Sequence, residues 1–221
     1  MTVAVLHRKT LAYGARTVFE GVSFALAPGE RVVLLGRSGA GKTTLLNAVY
    51  DRLVETDRRV ALVPQDHALV PQLSVVRNVL MGRLDDHGAF YNLTNLIHPR
   101  RTDRVEIVDI LAGLGLEGEA NKAVEELSGG QKQRAALGRA FFRSGEVLIG
   151  DEPVSAVDEA QAAGLLDEIA ARFQTSLLAL HDVGLARRFA TRLVGISSGE
   201  IVLDGAPEDI TPEQIRALYD D

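Results

Sequence analysis

The chain has 221 residues, 46% hydrophobic and 24% charged, with a formal net charge of −6 and no cysteine. That length and apolar content suit one large α/β domain with a substantial core and exclude the composition of a disordered protein. The acidic balance excludes a diffuse basic field for nucleic acid, the lack of cysteine excludes disulfides and thiolate zinc sites, and no apolar run nears the roughly 20 residues of a spanning helix.

From the N-terminus, Met1-Thr2-Val3-Ala4 lacks the basic-then-apolar layout of a secretion signal. Val22, Phe24 and Leu26 alternate with Ser23 and Ala25 ahead of Pro28-Gly29, which predicts a half-buried antiparallel strand closed by that turn. Val32 to Leu35 is a short apolar β-rich run ending at Gly36, and an amphipathic helix bearing Leu45, Leu46, Val49 and Leu53 follows. Val60 to Val63 repeats the strand pattern before Pro64-Gln65. From about Ser74 to Phe142 the period becomes helical. Ser74 caps a helix carrying Val75, Val76, Val79 and Leu80, and Val105, Val108, Leu111 and Ala112 recur at the same spacing. Ser128 caps another on which Ala135, Leu137, Ala140 and Phe141 pack. Strands return at Val147 to Ile149 before Gly150-Asp151, and at Ser176 to Leu180 before His181. A hairpin of Leu193 to Ser197, Ser198-Gly199 and Glu200 to Leu203 precedes a short helix, Glu213 to Tyr219.

The expected fold is therefore α/β: one domain over 1–221, a mainly parallel sheet flanked by helices, a small antiparallel β-subdomain, and an inserted helical subdomain at about 74–142. Four strand ends carry polar groups toward one carboxyl edge, where ligands of open α/β sheets bind.

The chemistry concentrates in three stretches. Gly36-Arg37-Ser38-Gly39-Ala40-Gly41-Lys42-Thr43, with Thr44 next on the helix, is a P-loop pattern. Its glycines let successive amides curl around phosphate oxygens, Lys42 neutralises the β/γ-phosphates and Thr43 ligates Mg²⁺. Val147 to Glu152 brings Asp151 to hold Mg²⁺ and Glu152 to orient and deprotonate the attacking water. Leu127-Ser128-Gly129-Gly130-Gln131 opens a helix with uncovered first-turn amides, a second phosphate cradle on the same chain. Two cradles for one nucleotide suggest that the second serves a neighbour.

These stretches, in this order, resemble the nucleotide-binding subunit of an ATP-binding cassette (ABC) transporter over nearly the whole chain. Walker A is Gly36 to Thr43, the Q-loop glutamine Gln65, the signature Leu127 to Gln131, Walker B ends at Asp151 with Glu152 following, the D-loop is Ser155-Ala156-Val157-Asp158, and His181 is the switch histidine. The resemblance implies a P-loop NTPase core of RecA-like type that hydrolyses ATP with Mg²⁺ as a head-to-tail homodimer. Each site then pairs one Walker A with Ser128, Gly129, Gly130 and Gln131 of the other copy. It further implies that Tyr13 stacks on adenine, that Gln65 lies near Mg²⁺ and the water and couples to the membrane subunits, and that His181 contacts the γ-phosphate. Asp158 would lie in the dimer. Implied partners are polytopic permease subunits and, indirectly, a substrate-binding protein, with no nucleic acid; the implied location is peripheral, on the cytoplasmic face of the inner membrane.

Within the family, Val76 to Leu84, Asp151 to Ser155, Leu180 to Val183, Ala186 to Phe189 and the insertion Asp85 to Arg104 resemble the phosphonate-importer branch. A non-transport ABC ATPase accessory to a soluble complex of phosphonate metabolism, or of DNA repair or translation, is the rival reading. A GTPase lacks support because Asn121-Lys122 is followed by Ala123-Val124, without the guanine-reading aspartate. Two departures stand out. Leu45 to Pro64 spans 20 residues, short for a family that commonly has an extra β-hairpin there, which puts the size of the antiparallel subdomain in question. Gly150 replaces a bulkier residue, so a looser strand end is expected. Arg100, Arg101 and Arg104 read as a solvated face.

Overall fold

The computed structural model describes residues 2–220; Met1 and Asp221, the ends of the expected domain, lie outside the described residues. The strands are β1 (Ala4–Tyr13), β2 (Arg16–Leu26), β3 (Arg31–Leu35), β4 (Val60–Val63), β5 (Val147–Asp151), β6 (Thr175–Ala179), β7 (Arg192–Ser197) and β8 (Glu200–Gly205). The α-helices are α1 (Lys42–Glu55), α2 (Val75–Leu80), α3 (Ala89–Ile97), α4 (Arg101–Gly113), α5 (Gly129–Arg143), α6 (Glu159–Arg172), α7 (Val183–Phe189) and α8 (Pro212–Arg216). Two compact units divide the chain: residues up to 60 with those from 145 onward, and residues 61–144.

In the first unit, β3, β5, β6 and β7 run parallel and β8 closes one edge antiparallel to β7. The order of these strands is β5-β6-β3-β7-β8. Continuous apolar runs fit strands covered on both faces: Val32, Val33, Leu34 and Leu35 are all 0% exposed. Each such side chain contributes about 1.5–3 kcal/mol of burial. Leu45, Leu46, Val49 and Leu53 form the buried stripe of α1, at the spacing their periodicity predicts.

The antiparallel subdomain is small, a two-stranded ribbon of β1 and β2. Val22, Phe24 and Leu26 are buried on it as expected, and β2 runs out into the expected turn at Pro28-Gly29, where the Glu30 N–H donates to Ala27 O at 3.3 Å. The partner is β1, with Leu6 opposite Phe24 and Tyr13 opposite Arg16, so the hairpin turn is Gly14-Ala15. Past Leu6 the strand reads His7-Arg8-Lys9-Thr10, all exposed, and the register shifts between Leu6 and Lys9. An irregular outer strand leaves no alternation to read.

In the second unit α2, α4 and α5 pack around Val79, Leu80, Ile110, Leu111, Leu137 and Phe141. The buried face of α4 differs from the expected one. Ile107, Ile110 and Leu111 are buried, whereas Val105, Val108 and Ala112 are exposed. The helix is apolar on two adjacent faces at helical spacing, and only the approach of α2 and α5 selects between them. Ser74 caps α2 as expected, accepting the Arg77 N–H at 3.4 Å. Asn78, fully buried in the stretch that resembles the phosphonate branch, accepts the Val70 N–H at 2.7 Å and donates to Val70 O at 3.1 Å. It thereby fastens the loop before α2. Arg100, Arg101 and Arg104 are exposed, as expected of a solvated face.

Candidate nucleotide site

In the first unit the chain leaves β3 at Leu35 and turns through Gly36 (φ 142°), Gly39 (φ 80°) and Gly41 (φ 114°) into α1. A Cβ on Gly36 would lie 2.2 Å from Ile196 O, and one on Gly41 would lie 2.7 Å from the Phe19 ring. Backbone on one side and a core aromatic on the other therefore demand glycine at both ends of the loop. Gly41 caps α1 with no side-chain bond to the helix, which leaves first-turn amides for an anion. Arg37, Ser38 and Gly39 are exposed, and Ala40 and Thr44 are half-buried.

Lys42 turns back under the loop and donates to Gly36 O at 2.7 Å and Arg37 O at 3.0 Å. Burial lowers its pKa, opposed by the carboxylates of Glu152 and Asp151. Thr43 Oγ1 donates to Asp151 Oδ2 at 2.5 Å, joining α1 to the end of β5. Burial pushes the Asp151 carboxyl above its ordinary range, against the opposing effects of the Thr43 bond, Lys42 and His181. Paired hydroxyl and carboxylate oxygens are hard donors, and a divalent cation would relieve the buried charge, so these residues fit Mg²⁺.

The raised carboxyl pKa has a sign. A group that binds its proton more tightly when folded withholds stability once pH rises through its folded pKa. Asp151→Asn keeps an acceptor for Thr43 and removes the buried charge. It is expected to melt higher than the parent at pH 7 to 8 without nucleotide, by a few degrees or about 2–4 °C. The difference should close as pH falls toward the ordinary carboxylate value of 3.8. Thermal melts across that range check it.

Glu152 follows with φ 54°, left-handed backbone on a residue that is not glycine. Its N–H donates to Ala179 O at 3.1 Å and its carbonyl accepts from Ser155 N at 3.3 Å and Ser155 Oγ at 3.2 Å. Those bonds hold a strained turn that swings the carboxylate off the strand. It meets His181 Nε2 at 2.5 Å, and Glu152, Ser155, Val157, His181 and Leu185 border a cavity of about 300 Å³. The expected looseness at Gly150 is corrected: the β5–β6 ladder runs in register through Asp151 opposite Ala179. A Cβ on Gly150 would meet Leu178 Cδ2 at 2.9 Å and Pro153 Cγ at 3.1 Å, so glycine is there for close packing.

Tyr13 is 73% exposed at the tip of the β1–β2 ribbon, free to stack on a planar ring. Asp158 caps α6, its carboxylate accepting the Gln161 N–H at 2.9 Å. In the second unit Ser128 caps α5 in a capping box. Ser128 Oγ accepts the Gln131 N–H at 3.3 Å, and Gln131 Oε1 accepts the Ser128 N–H at 2.9 Å. Ser128 and Gly129 are exposed, while Gly130 and Gln131 are half-buried. Gln65, exposed, opens the turn after β4. Sequence reasoning missed Tyr219, whose hydroxyl accepts the Gly36 N–H at 3.4 Å; the helix expected to reach it stops at Arg216, and an aromatic in the turn that follows carries no local signal of such a contact.

The family model for ABC transporters matches residues 19–155. A relative from Frankia casuarinae named phosphonates import ATP-binding protein PhnC is 39% identical, the match covering 95% of this chain and 92% of that one. The chain belongs to the ABC transporter family. This ABC cassette is also 36% identical to the phosphite import ATP-binding protein PxtA of Stutzerimonas stutzeri, over 93% of this chain and 82% of that one. Among solved structures, an ATP-binding cassette of an ABC transporter superposes with TM-score 0.81 at 20% identity over all of both chains. A dimeric cassette in a post-hydrolysis state bound to ADP and Pi superposes with TM-score 0.76 at 23% identity, over 92% of this chain and 98% of that one. These likenesses establish the fold, and family membership makes the chain an ATP-binding, ATP-hydrolysing cassette. Among the described residues no helix is long and apolar enough to cross a membrane.

Proposed function

We propose that this chain is the ATP-hydrolysing subunit of an importer for a small phosphorus oxyanion such as a phosphonate. It works as a head-to-tail homodimer on the cytoplasmic face of the membrane, beneath polytopic permease subunits that receive cargo from a binding protein. The observation that carries the hydrolytic half is the convergence of Lys42, Thr43, Asp151, Glu152 and His181 on one loop-and-strand edge. The cargo rests on the relatives, whose names are phosphonate and phosphite import ATP-binding proteins.

Loop amides from Gly36 to Thr44 and the Lys42 ammonium hold the nucleotide phosphates, and Tyr13 covers the adenine. Thr43 and Asp151, with Gln65, hold Mg²⁺, which neutralises phosphate charge when bound. Glu152 takes the proton of the attacking water, and His181, hydrogen-bonded to it, steadies its carboxylate and faces the γ-phosphate. Ser128, Gly129, Gly130 and Gln131 complete the site of the other copy, and Asp158 lies along the same dimer seam.

The cargo is tested on the substrate-binding protein with which the importer is proposed to work. Isothermal titration with methylphosphonate, 2-aminoethylphosphonate, phosphite and phosphate should find at least one tight ligand. Failure of all four would overturn the phosphorus-oxyanion assignment and leave the ATPase assignment standing.

A further inference from the structure

A side chain of the signature helix holds the turn that carries Gln65. The turn closes where the His67 N–H donates to Pro64 O at 3.0 Å. Its next two residues, His67 (φ 62°) and Ala68 (φ 46°), are both left-handed without being glycine, an arrangement that costs free energy and needs an outside restraint. Arg139, on α5, supplies one: its guanidinium donates to His67 O at 2.7 Å and to Ala68 O at 2.5 Å. A planar fork bonding two consecutive carbonyls fixes their directions, which a single point charge would not.

The mount for that fork is rigid. A Cβ on Gly138 would lie 3.3 Å from both Leu114 and Val79, marking the tight crossing of α5 with its neighbours. A Cβ on Gly82 would lie 2.5 Å from Arg139 O, so a second segment presses on the same point of the helix. Burial lowers the Arg139 pKa and nearby Asp66 raises it. About two to three helical turns toward its N-terminus, the same helix presents Ser128 to Gln131.

We propose that Arg139 is a positioning residue for ATP hydrolysis, which binds the turn bearing Gln65 to the helix bearing the signature so that the two segments move as one body. Engagement of Ser128 to Gln131 by a nucleotide on the other copy is thereby relayed through α5 to Gln65. The inference rests on the proposed role of Gln65 near Mg²⁺ and the attacking water.

The test uses the full chain with Arg139→Gln, Arg139→Lys and, as a control, Gln65→Ala. Arg139→Gln should keep the KM for ATP within about threefold and lower kcat by about tenfold, the size of effect that slight misplacement of a reacting group produces. Amide hydrogen exchange at residues 66–69 should quicken. Arg139→Lys, which keeps the charge but not the fork, should fall between the two and covers the case in which Arg139→Gln misfolds. Gln65→Ala should lower kcat without quickening exchange. Parent-like kcat in both Arg139 variants while Gln65→Ala is slow would overturn the inference. Parent-like kcat in Gln65→Ala would overturn the role of Gln65 instead, and with it any catalytic consequence of the clamp.

Discussion

Glu152→Gln is expected to lower ATP turnover by about 100-fold or more while nucleotide affinity stays near that of the parent. The variant keeps the shape of the side chain and an acceptor oxygen for His181, and nothing in it disturbs the Lys42 bonds to Gly36 O and Arg37 O or the Thr43–Asp151 pair. What it loses is basicity at the one carboxylate that the left-handed backbone of residue 152 turns away from β5. Binding and hydrolysis therefore separate. The variant should also accumulate as an ATP-bound dimer, since the step that opens the dimer is blocked. Phosphate release and light scattering with ATP measure the two effects, and parent-like turnover would remove Glu152 from the role of base.

Two inactive variants are expected to restore activity when mixed. Lys42→Ala removes the ammonium that lies beneath the loop and should weaken nucleotide binding. Ser128→Arg breaks the capping box and fills the exposed helix N-terminus. In a head-to-tail pair the Ser128→Arg copy still has its own loop, and the Lys42→Ala copy still has its own signature, so a mixed dimer regains one complete site. Equal mixing should recover about a quarter of parental activity if dimers form at random and sites act independently. Each protein assayed alone and then mixed provides the comparison. No recovery would reject the composite site and leave the cassette fold untouched.

Most of the site was legible because its chemistry is contiguous. Gly36 to Thr43 and Ser128 to Gln131 each lie at the start of a helix, so sequence order is also spatial order, and α1, α5 and the parallel strands appear where their periodicity predicts. The misses share a different cause. The buried face of α4 is Ile107, Ile110 and Leu111 rather than Val105, Val108 and Ala112, because two apolar faces compete and the neighbours decide. The partner of β2 was hidden because β1 loses its alternation after Leu6. Gly150 read as a weakness, yet the space it leaves is filled by Leu178 and Pro153.

The sequence by itself determined the family, the order of the motifs and the residue types proposed to face a nucleotide, because local backbone preference and short-range patterning encode them. Only the tertiary structure decided what meets across long separations. Thr43 and Asp151 are 108 positions apart, Gly36 and Tyr219 are 183 apart, and Arg139 reaches carbonyls about 70 positions earlier. Such pairings depend on which strands become neighbours and which helix faces are buried. Those are properties of the packed chain as a whole, and no window of sequence carries them.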